Sequence, residues 1–265
     1  MSRFLIIPDR ENFEETLKLC DEYNLKLELN DFMHPRVLDD VEKCSEITQF
    51  YSEYENLIAT SHGDFYDVLV FSEDRRIAEI SKQRIIQSME AARASGAEAV
   101  IFHSNIEPFL TSDEYRAAWL RRNERTFREI CAKYPDMCVY LENMFDTKPH
   151  DLAKLGEKMS NVQNFGICLD YAHAFISSSP LSTWAKELSP YIKHVHINDN
   201  DGVSDLHLAV GDGNIEWESF AKLREIYFKD ASVLIETSTA ESQRKSIEYL
   251  KQFIDFNEEN DDEYC

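Results

Sequence analysis

The sequence predicts an α/β protein: a single (β/α)8 barrel around a parallel eight-stranded sheet. Strand-like and helix-like patterns alternate along all 265 residues, and such alternation implies a parallel sheet with crossover helices. Six consecutive apolar segments, IATSH, AVIFH, VYLE, GICLDYAH, HVHIND and VLIE, end in side chains able to bind a metal. In barrels of this kind the C-terminal ends of the strands carry the active site. Neither GxGxxG nor GxxxxGK[ST] occurs, which weakens the open nucleotide-binding sheet.

In chain order, RFLII (3–7) reads as the first strand, and residues 11–23 as a helix with Phe13, Leu17 and Cys20 on one face. LKLELNDF (25–32) is the second strand. The long segment 33–56 holds a helix from about Leu38, and IATSH (58–62) is the third strand. A helix over 75–95 places Ile77, Ile80, Ile85 and Met89 at helical spacing, with Gly96 past its end as a cap. The alternation continues with strands 97–103, 138–143, 165–170, 192–199 and 232–237. Between and after them lie helices 113–133, 149–159, 181–188, 216–228 and 240–255. Residues 1–256 form one domain in this reading, and the acidic FNEENDDEYC end gives a frayed tail at 257–265.

The composition, 43% hydrophobic and 29% charged, allows a full core. No stretch approaches a membrane span of roughly 20 apolar residues, and the first residues lack the pattern of a secretory signal. Six scattered cysteines without CxxC pairs suit reduced thiols in a cytoplasmic protein. The net charge of −22 disfavours nucleic acid, because binding a polyanion depends on Lys and Arg displacing counterions. Arg121, Arg122, Arg125 and Arg128 fit a solvated helix face better than a phosphate-binding patch.

Nine candidate ligands cap the apolar runs: His62, His103, Glu142, Asp170, His173, His196, Asp205, His207 and Glu236. Glu142, Asp170, His196 and Glu236 form a core set. Three carboxylates and one imidazole suit Mn²⁺, Mg²⁺ or Co²⁺, and admit Zn²⁺. Buried together, the carboxylates would be costly without a cation. His62, His103, His173, Asp205 and His207 either bind further metal ions or hydrogen-bond a polyhydroxy substrate. His196 is expected to look into the barrel and His194 to pack under the helices, while His34 and His150 fall in loops.

The run SHGDFYDVLVFSEDRRIAEISKQRIIQSMEAARASGAEAVIFHS resembles the third and fourth units of the xylose isomerase-like TIM-barrel superfamily. YLEN, LDYAHA, HVHINDND, DLHLAVGDGNIEW and IET are similar to its later units, in the same order. The resemblance covers roughly residues 55–240. It implies an enzyme of either sugar isomerase and epimerase type or apurinic/apyrimidinic endonuclease type. The epimerase type implies one divalent ion held by Glu142, Asp170, His196 and Glu236, with Glu142 and Glu236 also as acid–base pair and His173 touching substrate. The endonuclease type implies three zinc ions. One would be held by His62, His103 and Glu142, a second between Glu142, Asp170, His196 and Glu236, and a third by His173, Asp205 and His207.

The acidic surface favours the sugar enzyme, as does the loop NDNDGVSD, which has no Lys or Arg to meet phosphate. So do GDGNIEW and HGDFYD, which resemble turns of those enzymes and imply close backbone approach at Gly211 and Gly213. The expectation is a metal-dependent isomerase or epimerase of ketoses or their derivatives, acting through an enediolate. Phe65 and Trp217 are candidates to pack on the sugar, as are Phe32, Phe109 and Phe145. An abasic-site phosphodiesterase and a non-catalytic metal-binding barrel are the alternatives, and a homo-oligomer is compatible with each.

Overall fold

The computed structural model describes residues 4–256. Arg3 of the expected first strand and the expected tail at 257–265 lie outside them. Eight parallel strands pair in sequence order and β8 closes on β1, giving the closed barrel that the alternation implies. The strands are β1 (Phe4–Ile6), β2 (Lys26–Leu29), β3 (Ile58–His62), β4 (Ala99–His103), β5 (Cys138–Glu142), β6 (Phe165–Asp170), β7 (Ile192–Ile197) and β8 (Ser232–Ile235). Around them run α1 (Phe13–Tyr23), α2 (Pro35–Leu38), α3 (Val41–Ser52), α4 (Arg75–Ala94), α5 (Asp113–Lys133) and α6 (His150–Met159). They are followed by α7 (Tyr171–Ile176), α8 (Leu181–Leu188), α9 (Trp217–Tyr227) and α10 (Ala240–Leu250).

Helix starts follow local chemistry. Asp40, Asp74, Ser112 and Thr239 each accept a bond from a backbone N–H in the first turn, satisfying donors that a helix leaves unpaired. The connection at 33–56 differs from the expectation. His34-Pro35 opens the short α2, and Asp40 restarts the chain as α3. On α4 the buried face is Ser81, Ile85, Ser88, Met89 and Ala92. Ile77 and Ile80 are exposed, so the apolar stripe proposed for that helix is right only in its second half.

Period-two alternation sets the site. Side chains two apart on a strand share a face, and Ala99, Ile101, Cys138, Tyr140 and Cys168 pack together as an interior layer. Ile101, Tyr140 and Cys168 therefore stand one step below His103, Glu142 and Asp170. The outward-facing Val100, Val139, Ile167, Val195 and Val233 join the larger core beneath the helices. Cys20, Cys44, Cys131 and Cys168 are free thiols. Among the described residues, no helix is long and apolar enough to cross a membrane.

Candidate metal centre

The nine predicted ligands converge at the C-terminal mouth of the barrel. Glu142 is at the middle of them. Its Oε2 lies 3.6 Å from the Nε2 atoms of both His62 and His103, and 3.3 Å from His196 Nδ1. Its Oε1 lies 3.4 Å from His173 Nδ1. Glu236, one residue beyond β8, places Oε2 3.5 Å from the same His196 nitrogen. The two histidine Nε2 atoms of His62 and His103 are 3.0 Å apart.

Asp170 divides its carboxylate between two tasks. Oδ1 caps α7 by accepting from His173 N at 2.6 Å, while Oδ2 has no hydrogen-bond partner and faces the centre. This cap explains why α7 starts immediately after β6, and its six residues carry His173 back over the mouth. Asn143 fixes the ends of β5 and β6 to each other, donating to Asp170 O and accepting from Asp170 N, both at 2.9 Å. Further out, Asp205 Oδ2 sits 3.2 Å from His173 Nε2 and 3.1 Å from His207 Nε2.

Several buried ligand atoms lack any hydrogen-bond partner: Glu142 Oε2, Asp170 Oδ2, Glu236 Oε2 and His196 Nδ1. Polar atoms buried without partners are costly, and these four point at one another. Glu142, Asp170 and His196 offer ligand atoms within 4.8 Å of one another, as do His62, His103 and Glu142. Donors of this kind and spacing fit a divalent cation. Burial pushes the Glu142 carboxyl up, but His196, His103, His173 and His62 outweigh it and hold that group well below the usual carboxylate range. Asp170 is pushed up to about 7 by burial and by the like charges of Glu142 and Glu236.

The loop after β7 carries the outermost ligands. An antiparallel bridge between Asp199 and Leu208 clips it shut. Asp199 then accepts from the backbone N–H groups of Asn200, Gly211 and Ile215 and from Trp217 Nε1. A Cβ on Gly213 would fall 2.3 Å from Asp199 Oδ1 and 2.4 Å from Asn200 O, so only glycine fits there. Gly211 has φ +93°, and a Cβ on it would meet the Tyr249 ring. Both glycines thus serve the close approach expected of them. His207 is a non-glycine residue at φ +48°, a conformation that the surrounding clip maintains.

Two expectations are corrected. His194 does not pack under the helices: it is two residues from His196, so both enter the barrel, and it is fully buried with Nε2 3.0 Å from Glu28 Oε2. Trp217 does not line the mouth. It is buried against Tyr171 and Phe220, and its N–H anchors the loop through Asp199. Phe65 does stand at the mouth, its ring centroid 4.8 Å from that of His103. Phe109 and Phe145 are exposed and Phe32 is buried. Sequence reasoning missed Glu28, the one acid in LKLEL, whose place on the face opposite Leu25, Leu27 and Leu29 was the available signal.

Asp146 braces the loops beneath the mouth, accepting from the Ser104 hydroxyl and from Met144 N. Burial raises its carboxyl from 3.8 to about 6, with those two donors opposing the rise. The folded state therefore holds this proton more tightly than the unfolded chain does. Its stabilising contribution is complete below about pH 4 and is lost as pH climbs to about 6. Asp146→Asn is expected to be roughly 3 kcal/mol better off, relative to wild type, at pH 7 than at pH 4. Urea unfolding at both values checks this, and a difference independent of pH would refute the assignment.

A closed parallel barrel whose strand ends deliver histidines and carboxylates to one buried centre defines a TIM barrel with a candidate metal centre. Residues 27–253 match the family model for the xylose isomerase-like TIM barrel, and the chain belongs to that family. Its members are enzymes of epimerase, isomerase and endonuclease IV type. An uncharacterized protein of Methanocaldococcus jannaschii, MJ1311, is 30% identical over 205 residues, covering 73% of this chain and 69% of that one. A probable endonuclease 4 of Halorhodospira halophila is 26% identical over 186 residues, 61% of each chain. A D-tagatose 3-epimerase-like protein of known structure superposes with a TM-score of 0.72 at 25% identity, covering 96% of this chain and 97% of that one.

Proposed function

We propose that this protein is a divalent-metal-dependent epimerase or isomerase of ketoses or their derivatives. The observation that carries the reading is the placement of two carboxylates, Glu142 at the end of β5 and Glu236 just beyond β8, both within 3.5 Å of His196 Nδ1. Glu142, Asp170, His196 and Glu236 would hold the ion, which when bound supplies Lewis-acid polarisation of a carbonyl and its neighbouring hydroxyl. Glu142 and Glu236 reach the same substrate carbon from different strands. One removes the proton next to the carbonyl and the other returns a proton to the opposite face. For isomerisation the proton goes to the adjacent carbon instead. His173 orients a substrate hydroxyl, and Phe65 covers an apolar face of the sugar.

The charge of the chain agrees with a small substrate. With 50 acidic and 28 basic residues it offers little attraction to a polyanion. Arg10, beside the mouth, is already paired with Asp31 at 2.9 Å. Similarity to the D-tagatose 3-epimerase-like protein points the same way.

A second reading is favoured by one specific observation: all nine ligand positions are filled and meet at the mouth, including the close His62–His103 pair and the group around Asp205. That arrangement suits up to three zinc ions and hydrolysis of an abasic-site phosphodiester. Metal analysis of the purified chain together with two assays decides between them. One bound Mn, Mg or Co per chain with turnover of ketoses supports the first reading. Three zinc ions with cleavage of an abasic oligonucleotide, and no ketose turnover, would replace it with the second.

A further inference from the structure

Beneath the mouth lies a second polar layer that neither reading uses. Glu28 of β2 enters the barrel interior and is completely buried. Its Oε2 accepts from the Thr60 hydroxyl at 2.5 Å and lies 3.0 Å from His194 Nε2. His194 in turn places Nδ1 2.6 Å from Ser232 Oγ. The other oxygen, Oε1, lies 3.1 Å from His196 Nε2, an ion-pair contact off the line of a hydrogen bond, and neither atom has a hydrogen-bond partner. His196 thus stands between two acidic surroundings. Nε2 faces Glu28 below, and Nδ1 faces Glu142 and Glu236 above.

A neutral imidazole carries one proton on one nitrogen, and only the other nitrogen can ligate. A carboxylate under Nε2 holds the proton there and leaves the Nδ1 lone pair free. We infer that Glu28 is a positioning residue, which commits His196 Nδ1 to the cation at the mouth. The inference rests on the metal-centre reading above. Three features make Glu28 suited to the task. Thr60 and His194 hold its other oxygen, so the carboxylate cannot swing away. The His194 ring stands nearly perpendicular to that of His196, at 88° and 5.0 Å between centroids, which limits rotation. The Tyr140 ring lies nearly parallel to that of His194, at 21° and 6.1 Å between centroids. A burial this complete also removes Glu28 from solvent, so Thr60 on β3 and the two histidines on β7 are the polar groups that offset its burial.

Cobalt(II) titration of the full chain tests the assignment, read by calorimetry and by visible absorption of the bound ion. Glu28→Gln is expected to bind cobalt about 10–100-fold more weakly than wild type, the usual cost of removing a group that orients a ligand. Its spectrum should also shift, because the tautomer of His196 is no longer fixed. A purely structural Glu28 would lower the melting temperature while leaving affinity and spectrum of the folded protein unchanged, and that result would overturn the inference. Should Glu28→Gln fail to fold, Thr60→Val keeps the carboxylate but loosens it. A several-fold loss of affinity is then expected, and wild-type affinity would refute the assignment. Wild-type protein that takes up no cobalt would remove the metal-centre reading and this inference together.

Discussion

Glu142→Gln is expected to lower turnover of a ketose by at least about a thousandfold. General acid–base participation supplies about 10²–10⁴ in rate, and in the proposed function this residue would also contribute an oxygen to the ion. An amide can neither take the proton nor offer a charged donor to the cation. Glu236→Gln should cost a comparable factor, with a distinguishable cause. Glu142, Asp170 and His196 would remain to hold the ion, so metal content should fall less than kcat. Both effects are measured by steady-state kinetics beside metal analysis of the same samples. Full activity in either variant would contradict the assignment of the acid–base pair.

The second large effect concerns stability. Glu142, Asp170 and Glu236 are buried within one small region, and burial, together with repulsion from Glu142 and Glu236, raises the Asp170 carboxyl. A cation binding only the folded state stabilises it by about 2.7 kcal/mol at a hundredfold excess over its Kd. For a chain of this size that corresponds to a rise in Tm of roughly 5–10 °C. Thermal unfolding with chelator, and then with added Mn²⁺, Co²⁺ or Zn²⁺, should show the gap and its recovery. Identical curves throughout would mean that the convergent carboxylates hold no ion.

Much of this site is legible in the sequence for a simple reason. A β-branched apolar run followed by a histidine or acid places the polar group at a strand end, and parallel pairing brings all such ends together. His62, His103, Glu142, Asp170, His196 and Glu236 are readable on that basis. Asp205 and His207 belong to an irregular loop, so their place depends on the Asp199–Leu208 clip, which no periodicity announces. Glu28 escapes because it lies within a strand instead of at its end. His194 is misplaced when the two-residue spacing to His196 is read as alternation, although i and i+2 share a face. Trp217 looks like a sugar platform beside a glycine-rich turn. Its indole N–H finds Asp199 instead, and burial follows. The helix α7 is too short to show a period, and its start depends on a capping oxygen of a residue whose other oxygen faces the centre.

The clipped loop after β7 separates two kinds of inheritance. Glu142, Asp170 and His196 grow directly from the staves of the barrel, so altering them disturbs the architecture itself. Asp205 and His207 ride on a detachable ornament whose two ends are already fastened by Asp199. A descendant could therefore exchange that ornament, gaining or losing the outer ligand pair, while the central cluster stayed intact. On that view the presence or absence of an outermost ion is a matter of one interchangeable span of chain.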